Sequence, residues 1–351
     1  MKCDEEEAKI REILPKVELH AHLSGSIEQS WLSEHDRTFS AIDVVGPRSL
    51  ARCFEYFCAV AKVITNLESL EAATRQVLTN FANEGTMYIE IRTTPKRLNG
   101  STENDYVATI QRVAMEIQHK MDVKLLLSLD RGKITSLEDA LHTIKKLVGL
   151  SQRFSDFVVG FDICGDPRVK SVQNYILPAL YRIRPILPIT FHTAEIRDDD
   201  EARAVLASAK DLNIKRLGHC CYLPQDVRRN LPSGMGIELC PTSNLVAMKI
   251  YDLTDHHFPH FWQTSSNLYV SINTDDRGLF KCSLSSELAD IQKAFNLSFE
   301  DLVHIQRQGI ASSFHPHPER LLDIFNKRLH ANLEEKRKRS ISSPIFHERR
   351  D

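Results

Sequence analysis

His20-Ala21-His22 sets two imidazoles two residues apart, and in a strand both would point to one side, where they could share a metal ion. The spacing alone says little. Fifteen histidines scattered over 351 positions give about 0.6 such pairs by chance at the strand period. A second pair, His315-Pro316-His317, does occur, in a proline-punctuated stretch read as a surface loop. Three further groups lend weight to the first: His192-Thr193-Ala194-Glu195, Gly218-His219 and Asn273-Thr274-Asp275-Asp276. The first and third follow the apolar runs Ile186–Phe191 and Tyr269–Ile272, the second follows Lys215-Arg216-Leu217, and imidazoles and carboxylates are the donors that hold a catalytic divalent cation. Their joint occurrence reads as a metal site.

The elements that must position these residues are short β-branched runs alternating with helical stretches. Strands are expected near Val17–His20, Tyr88–Arg92, Val123–Leu129, Val158–Ile163, Ile186–His192, Arg216–Gly218, Gly236–Leu239 and Tyr269–Asn273. The segments Leu67–Asn83, Asp105–Met121 and Ser136–Leu150 carry the spaced apolar residues of crossover helices. Eight strands separated by helices is the count of a (β/α)8 TIM barrel, and the metal and proton-transfer candidates fall at the C-terminal strand ends, where such barrels gather catalytic residues. Ser49–Ile64, in the long gap after the first strand, is expected to form an extra helix capping the C-terminal mouth. Leu284–Phe295, Phe299–Gln308 and Pro318–His330 read as closing helices. One domain is expected over residues 1–335, followed by a basic, disordered tail over 336–351 that includes Lys336-Arg337-Lys338-Arg339.

Composition narrows the partners. With 42% hydrophobic and 26% charged residues the chain suits an ordinary globular protein, and a net charge of −2 gives no electrostatic reason to expect nucleic acid. No apolar run has the ~18 residues of a membrane span. The acidic start, Met1-Lys2-Cys3-Asp4-Glu5, is not a signal peptide. Eight irregularly spaced cysteines without C-x-x-C read as reduced thiols in the cytosol. A monomer is expected. Asp255-His256-His257 and His260 cluster in sequence, but no strand end presents them together, and they are read as a structural loop.

The set Glu18-Leu19-His20-Ala21-His22-Leu23, His192-x-x-Glu195, Gly218-His219, Pro241-Thr242-Ser243-Asn244 and Thr274-Asp275-Asp276 resembles the adenosine deaminase family of metal-dependent hydrolases, from about Leu14 to Phe325. That resemblance implies one zinc ion per chain, held by His20, His22, His192 and Asp275, with the cation lowering the pKa of a water. It also implies roles for the remaining residues. His219 would orient the water and take its proton, while protonated Glu195 would give a proton to the purine ring nitrogen beside the attacked carbon. Asp276 would bond the five-membered-ring side of the base, and the backbone of Gly165 the opposite edge.

Adenosine deaminases proper carry Asp two residues after the second metal His, where it receives a ribose hydroxyl. This chain has neutral Ser24, which would not repel a phosphate. Arg92-Thr93-Thr94-Pro95-Lys96-Arg97 brings hydroxyls and cations to the expected mouth, as suits a phosphate monoester. With Leu129-Asp130-Arg131 and Ile163-Cys164-Gly165-Asp166-Pro167, these features resemble the adenosine deaminase-like branch, which converts N(6)-methyl-AMP to IMP and methylamine. The resemblance implies substrate contacts at His22, Ser24, Thr93, Thr94, Pro95, Lys96, Asp130, Gly165 and Asp276. The chain departs from that branch at Ser24, usually Asn, and at Ala61, usually His. Adenosine or AMP deamination stays open as an alternative, as does a nucleotide-binding protein that has lost catalysis.

Overall fold

The computed structural model describes residues 5–42, 50–262 and 267–342. Eight parallel strands, β1 (Lys16–His22), β2 (Thr86–Thr93), β3 (Asp122–Asp130), β4 (Val158–Cys164), β5 (Ile189–Thr193), β6 (Ile214–His219), β7 (Gly236–Leu239) and β8 (Tyr269–Ile272), pair in sequence order. The ring closes where Ala21 bridges Asp275. There the His22 N–H donates to the Asp275 carbonyl at 3.0 Å and the Asp275 N–H to the His20 carbonyl at 2.8 Å. The fold is the (β/α)8 barrel expected, and its closing hydrogen bonds run through three of the four candidate metal ligands.

Elsewhere along the seam side chains replace the ladder, because buried backbone amides need acceptors. The Val17 N–H donates to Gln306 Oε1 at 2.8 Å, the Leu19 N–H to Asn273 Oδ1 at 3.0 Å, and the Thr274 N–H to Glu18 Oε2 at 3.0 Å. Asn273, grouped above with the catalytic candidates, is thus part of the barrel's closure.

The crossover helices begin on side-chain caps that satisfy their first amides. Asn66 caps Leu67–Asn83, Thr102 caps Glu103–Ile117, and Ser136 caps Leu137–Arg153. Helices Gln29–His35 and Leu50–Val63 fill the long gap after β1, and the second supplies Cys53, Phe57, Val60 and Ala61 to the wall of the cavity at the mouth. Strand β5 starts at Ile189 rather than Ile186. Pro185 and Pro188 interrupt the run, Pro188 has no amide to donate to a ladder, and Ile186 is 91% exposed.

The basic end differs from expectation. Helix Pro318–Ser342 continues through residues 336–342, where a disordered tail was expected. Contacts one turn apart support its end, His330 Nε2 with Glu334 at 3.1 Å and the ion pair of Arg339 with Glu335 at 2.5 Å, and Arg339 also reaches Glu12 at 2.8 Å. Residues 343–351 lie outside the described residues.

The barrel interior carries a layer of paired charge. Arg216 joins Glu238 at 2.5 Å and Glu90 at 2.6 Å, stacks on the Phe314 ring at 3.7 Å, and donates to the Ser312 carbonyl. Both carboxylates and the guanidinium are fully buried. Removing one partner of such a group strands the others in a low dielectric. Arg216→Met should therefore cost about 3–5 kcal/mol of stability, read as a lower denaturant midpoint; an unchanged midpoint would contradict this view of the layer.

Candidate active site

Each candidate ligand sits where a strand ends, and the backbone turns sharply there. His219 and Asp275 adopt left-handed φ values of 65° and 57°, as does Ala194 at 55° just before Glu195. Non-glycine residues tolerate this conformation where the surroundings over-determine it, which is common at functional sites.

His20, His22, His192 and Asp275 converge so that one donor atom from each lies within 4.8 Å of the others. His22 Nε2 is 3.1 Å from His192 Nε2, and Asp275 Oδ1 is 3.4 Å from His20 Nε2 and 3.5 Å from His22 Nε2. The outward-facing atoms of these residues are already committed. His20 Nδ1 bonds Glu238 at 2.6 Å, His192 Nδ1 faces Asp162 at 3.0 Å, and Asp275 Oδ2 accepts from Ser243 Oγ at 2.7 Å. His192 Nδ1, close to the Asp162 carboxylate but outside hydrogen-bond geometry, is the ring nitrogen turned away from the cluster, which leaves Nε2 facing His22. His20 Nε2 is buried with no hydrogen-bond partner. Converging lone pairs beside a carboxylate lack only a cation. Carboxylates aiming the far nitrogens are the usual outer support of a metal centre, and three imidazoles with one carboxylate suit a divalent transition metal.

Electrostatics agree. Burial pushes His22 down to about 3, leaving it neutral. Burial and the Arg92 charge oppose protonation of His20, but the nearby Asp275 carboxylate and the hydrogen bond to Glu238 outweigh them and raise it to about 9. An entering cation would displace that proton.

The same cavity, about 360 Å³, is lined by His22, His192, Glu195, His219, Asp275 and Asp276. Burial raises Glu195 to about 8, with the Asp275 charge adding to the effect and Arg131 opposing it. Burial and the charges of Asp275 and Glu195 hold Asp276 well above the ordinary carboxyl range. Both groups are therefore proton donors at neutral pH, while Asp275 stays ionised between its histidines. Two glycines make the room. A Cβ on Gly25 would lie 1.6 Å from the Asp276 carboxylate, and Gly165, at φ +103°, would collide with Asp130.

Of the residues for which the resemblance implies substrate contact, Ser24, Thr93, Thr94, Lys96, Asp130 and Gly165 also line the cavity, whereas Pro95 does not. Arg97 turns away to Glu103. Lys133, at the end of the short turn Arg131–Lys133, joins Lys96 in the lining and was not singled out from sequence. Burial, and next the Lys133 charge, depress Lys96. Sequence reasoning also passed over Asp162 and Glu238, although a lone carboxylate inside an apolar strand was a usable signal. His256 and His257, read as part of a structural loop, are buried, and His257 Nε2 bonds the His219 carbonyl at 2.7 Å.

The adenosine deaminase family model matches residues 15–327. The chain is 33% identical to the N6-mAMP deaminase of Arabidopsis thaliana over 86% of its own length and 92% of that protein. It is 30% identical to the N6-methyl-AMP deaminase of Homo sapiens, over 85% and 88% of the two chains. The solved structure of Arabidopsis ADAL complexed with IMP superposes with a TM-score of 0.79 at 31% identity, covering 91% of this chain and 98% of that one.

The outer carboxylates generate a prediction. Asp162 is held by Arg92 and Ser128 and lies 3.0 Å from His192 Nδ1, so Asp162→Asn should weaken metal binding by roughly 10–100-fold in competition with a chelator. Undiminished affinity would mean that Asp162 does not aim His192.

Proposed function

The chain belongs to the adenosine deaminase family, and from that premise we propose that it hydrolyses the exocyclic C–N bond of N(6)-methyl-AMP, giving IMP and methylamine. The observation that carries this reading is a single cavity whose wall holds His22, His192 and Asp275, three of the four clustered ligands, together with a set of hydroxyls and ammonium groups, Ser24, Thr93, Thr94, Lys96 and Lys133. The first suits the purine ring carbon under attack, the second a 5′-phosphate. A carboxylate at residue 24 would oppose the phosphate; Ser24 does not.

We assign the cation as one zinc ion held by His20, His22, His192 and Asp275, a donor set typical of zinc. When bound, it supplies Lewis acidity that lowers the pKa of the attacking water. Glu195, protonated at neutral pH, delivers its proton to the ring nitrogen beside the attacked carbon, so the ring can accept the electron pair. Asp276 in its acid form donates to the five-membered-ring side, and the Gly165 backbone meets the opposite edge. His219 faces the reacting oxygen. Water adds at C6, the C6–N bond breaks, and the amine departs with a proton. The apolar side of the cavity, Cys53, Phe57, Val60, Ala61 and Phe280, leaves room for an alkyl group on the leaving nitrogen.

The relatives' names support the substrate assignment, and the IMP held by the Arabidopsis structure is the product this reaction would give. No helix among the described residues is long and apolar enough to cross a membrane. The described cysteines all lack disulfides, which suits our assignment of a cytosolic protein; we assign a monomer as well.

Three outcomes follow for the purified, zinc-loaded protein. Among N(6)-methyl-AMP, AMP and adenosine, the methylated nucleotide should have the highest kcat/KM; turnover of adenosine alone would overturn the assignment. Glu195→Gln should keep its zinc and lose ~100-fold or more in turnover. Because the acid form of Glu195 is the working one, kcat/KM should hold below pH about 8 and fall as pH rises through it; a rise there would remove Glu195 as the acid.

A further inference from the structure

We infer that Asn244 and His256 form a hydrogen-bonded relay, its direction fixed by backbone amides, that holds His219 with its proton on Nε2, facing the cavity. The relay starts behind the site. The Phe258 N–H donates to His256 Nδ1 at 3.0 Å, so that nitrogen carries a lone pair. Burial, and then the neighbouring His257, keep His256 well below the ordinary histidine range and therefore neutral, which leaves its one proton on Nε2. His256 Nε2 points at Asn244 Oδ1 at 3.1 Å. The Cys240 N–H points at the same atom, also at 3.1 Å.

Two donors on one atom identify it as the amide oxygen, and the backbone amide of Cys240 cannot reverse its role. The Asn244 NH2 group is then the one facing His219 Nδ1, at 3.0 Å. An NH2 group donates and cannot accept, so His219 Nδ1 must hold a lone pair. The remaining proton of the neutral ring sits on Nε2, which lies 3.9 Å from Glu195 and 4.0 Å from Asp275. His257 secures the His219 carbonyl from the other side.

Neither Asn244 nor His256 lines the cavity, and both are buried. They act through His219 and are positioning residues. The relay alters the role expected from sequence. A ring with Nε2–H cannot take the water's proton at rest; it donates to the attacking oxygen and steadies the charge that develops there. This catalytic consequence rests on the deaminase reading, whereas the tautomer itself does not.

The test is the long-range 1H–15N correlation spectrum of the zinc-loaded protein labelled with 15N-histidine, near neutral pH and without substrate, with His219 assigned by its loss in His219→Gln. The expected pattern is a bare Nδ1 and a protonated Nε2. A proton on Nδ1, or on both nitrogens, overturns the relay. Asn244→Asp keeps an acceptor for Cys240 and His256 but turns an acceptor toward Nδ1, so the tautomer should invert. Turnover should then drop by roughly 10²–10⁴-fold, the scale of a wrong tautomer in a catalytic triad, with KM near the parent value. Inversion without loss of turnover overturns the positioning role. If Asn244→Asp does not fold, the parent spectrum decides alone. The expected tautomer in a protein inactive on every purine nucleotide would retain the relay and overturn the deaminase reading instead.

Discussion

Arg92 lies at the centre of the barrel with no exposure to solvent, one arm of its guanidinium on Asp162 at 3.1 Å and the other on Glu238 at 3.0 Å. Those carboxylates aim His192 and His20. Burial alone would raise both, but Arg92, joined by Arg216 at Glu238, holds them well below the ordinary range, so they stay ionised with little water nearby. Fixed negative charge behind two imidazoles sets their tautomers and turns their lone pairs inward. The barrel's packing, its closure through Ala21 and Asp275, and the donor set at its mouth all meet at this charged layer.

Above the layer the same physics sorts the carboxyl groups into roles. Asp275 touches imidazoles and keeps its charge; Asp276, next in sequence, keeps its proton because burial and the Asp275 and Glu195 carboxylates outweigh the pull of Arg92. Glu195 shares the low dielectric and the Asp275 field, and is an acid at neutral pH. Adjacent residues of one type thus serve as ligand and as proton donor, with environment making the difference. Two cations, Lys96 and Lys133, crowd the cavity wall where an anion would relieve them.

Much of this was legible in the sequence because strand ends leave a local signature. All eight strands were placed, and the groups at His192 and Asp275 follow apolar runs that mark where those strands stop, while those at His20 and His219 end shorter β-branched stretches interrupted by charge. The early end of β5 was misplaced because Pro188 overrides the apolar run. Asp162 and Glu238 were harder, since their meaning depends on partners 70 and 146 residues from Arg92. The same holds for His256, whose loop looked bland until folding set it behind Asn244. Lys133 escaped notice because a short turn, with no periodicity, carries it to the cavity. The helical end of Pro318–Ser342 was missed because its ion pairs outweigh a composition that reads as solvated chain.

The central claim is that this cavity adds water to C6 of an N(6)-substituted purine nucleotide and expels the amine. Mass spectrometry of the zinc-loaded protein turning over N(6)-methyl-AMP in oxygen-18 water tests it most directly. The account predicts IMP carrying the heavy oxygen at C6, with methylamine in equal amount, and loss of both after chelation. Absence of IMP, or AMP appearing with the methyl group removed by another route, would contradict it.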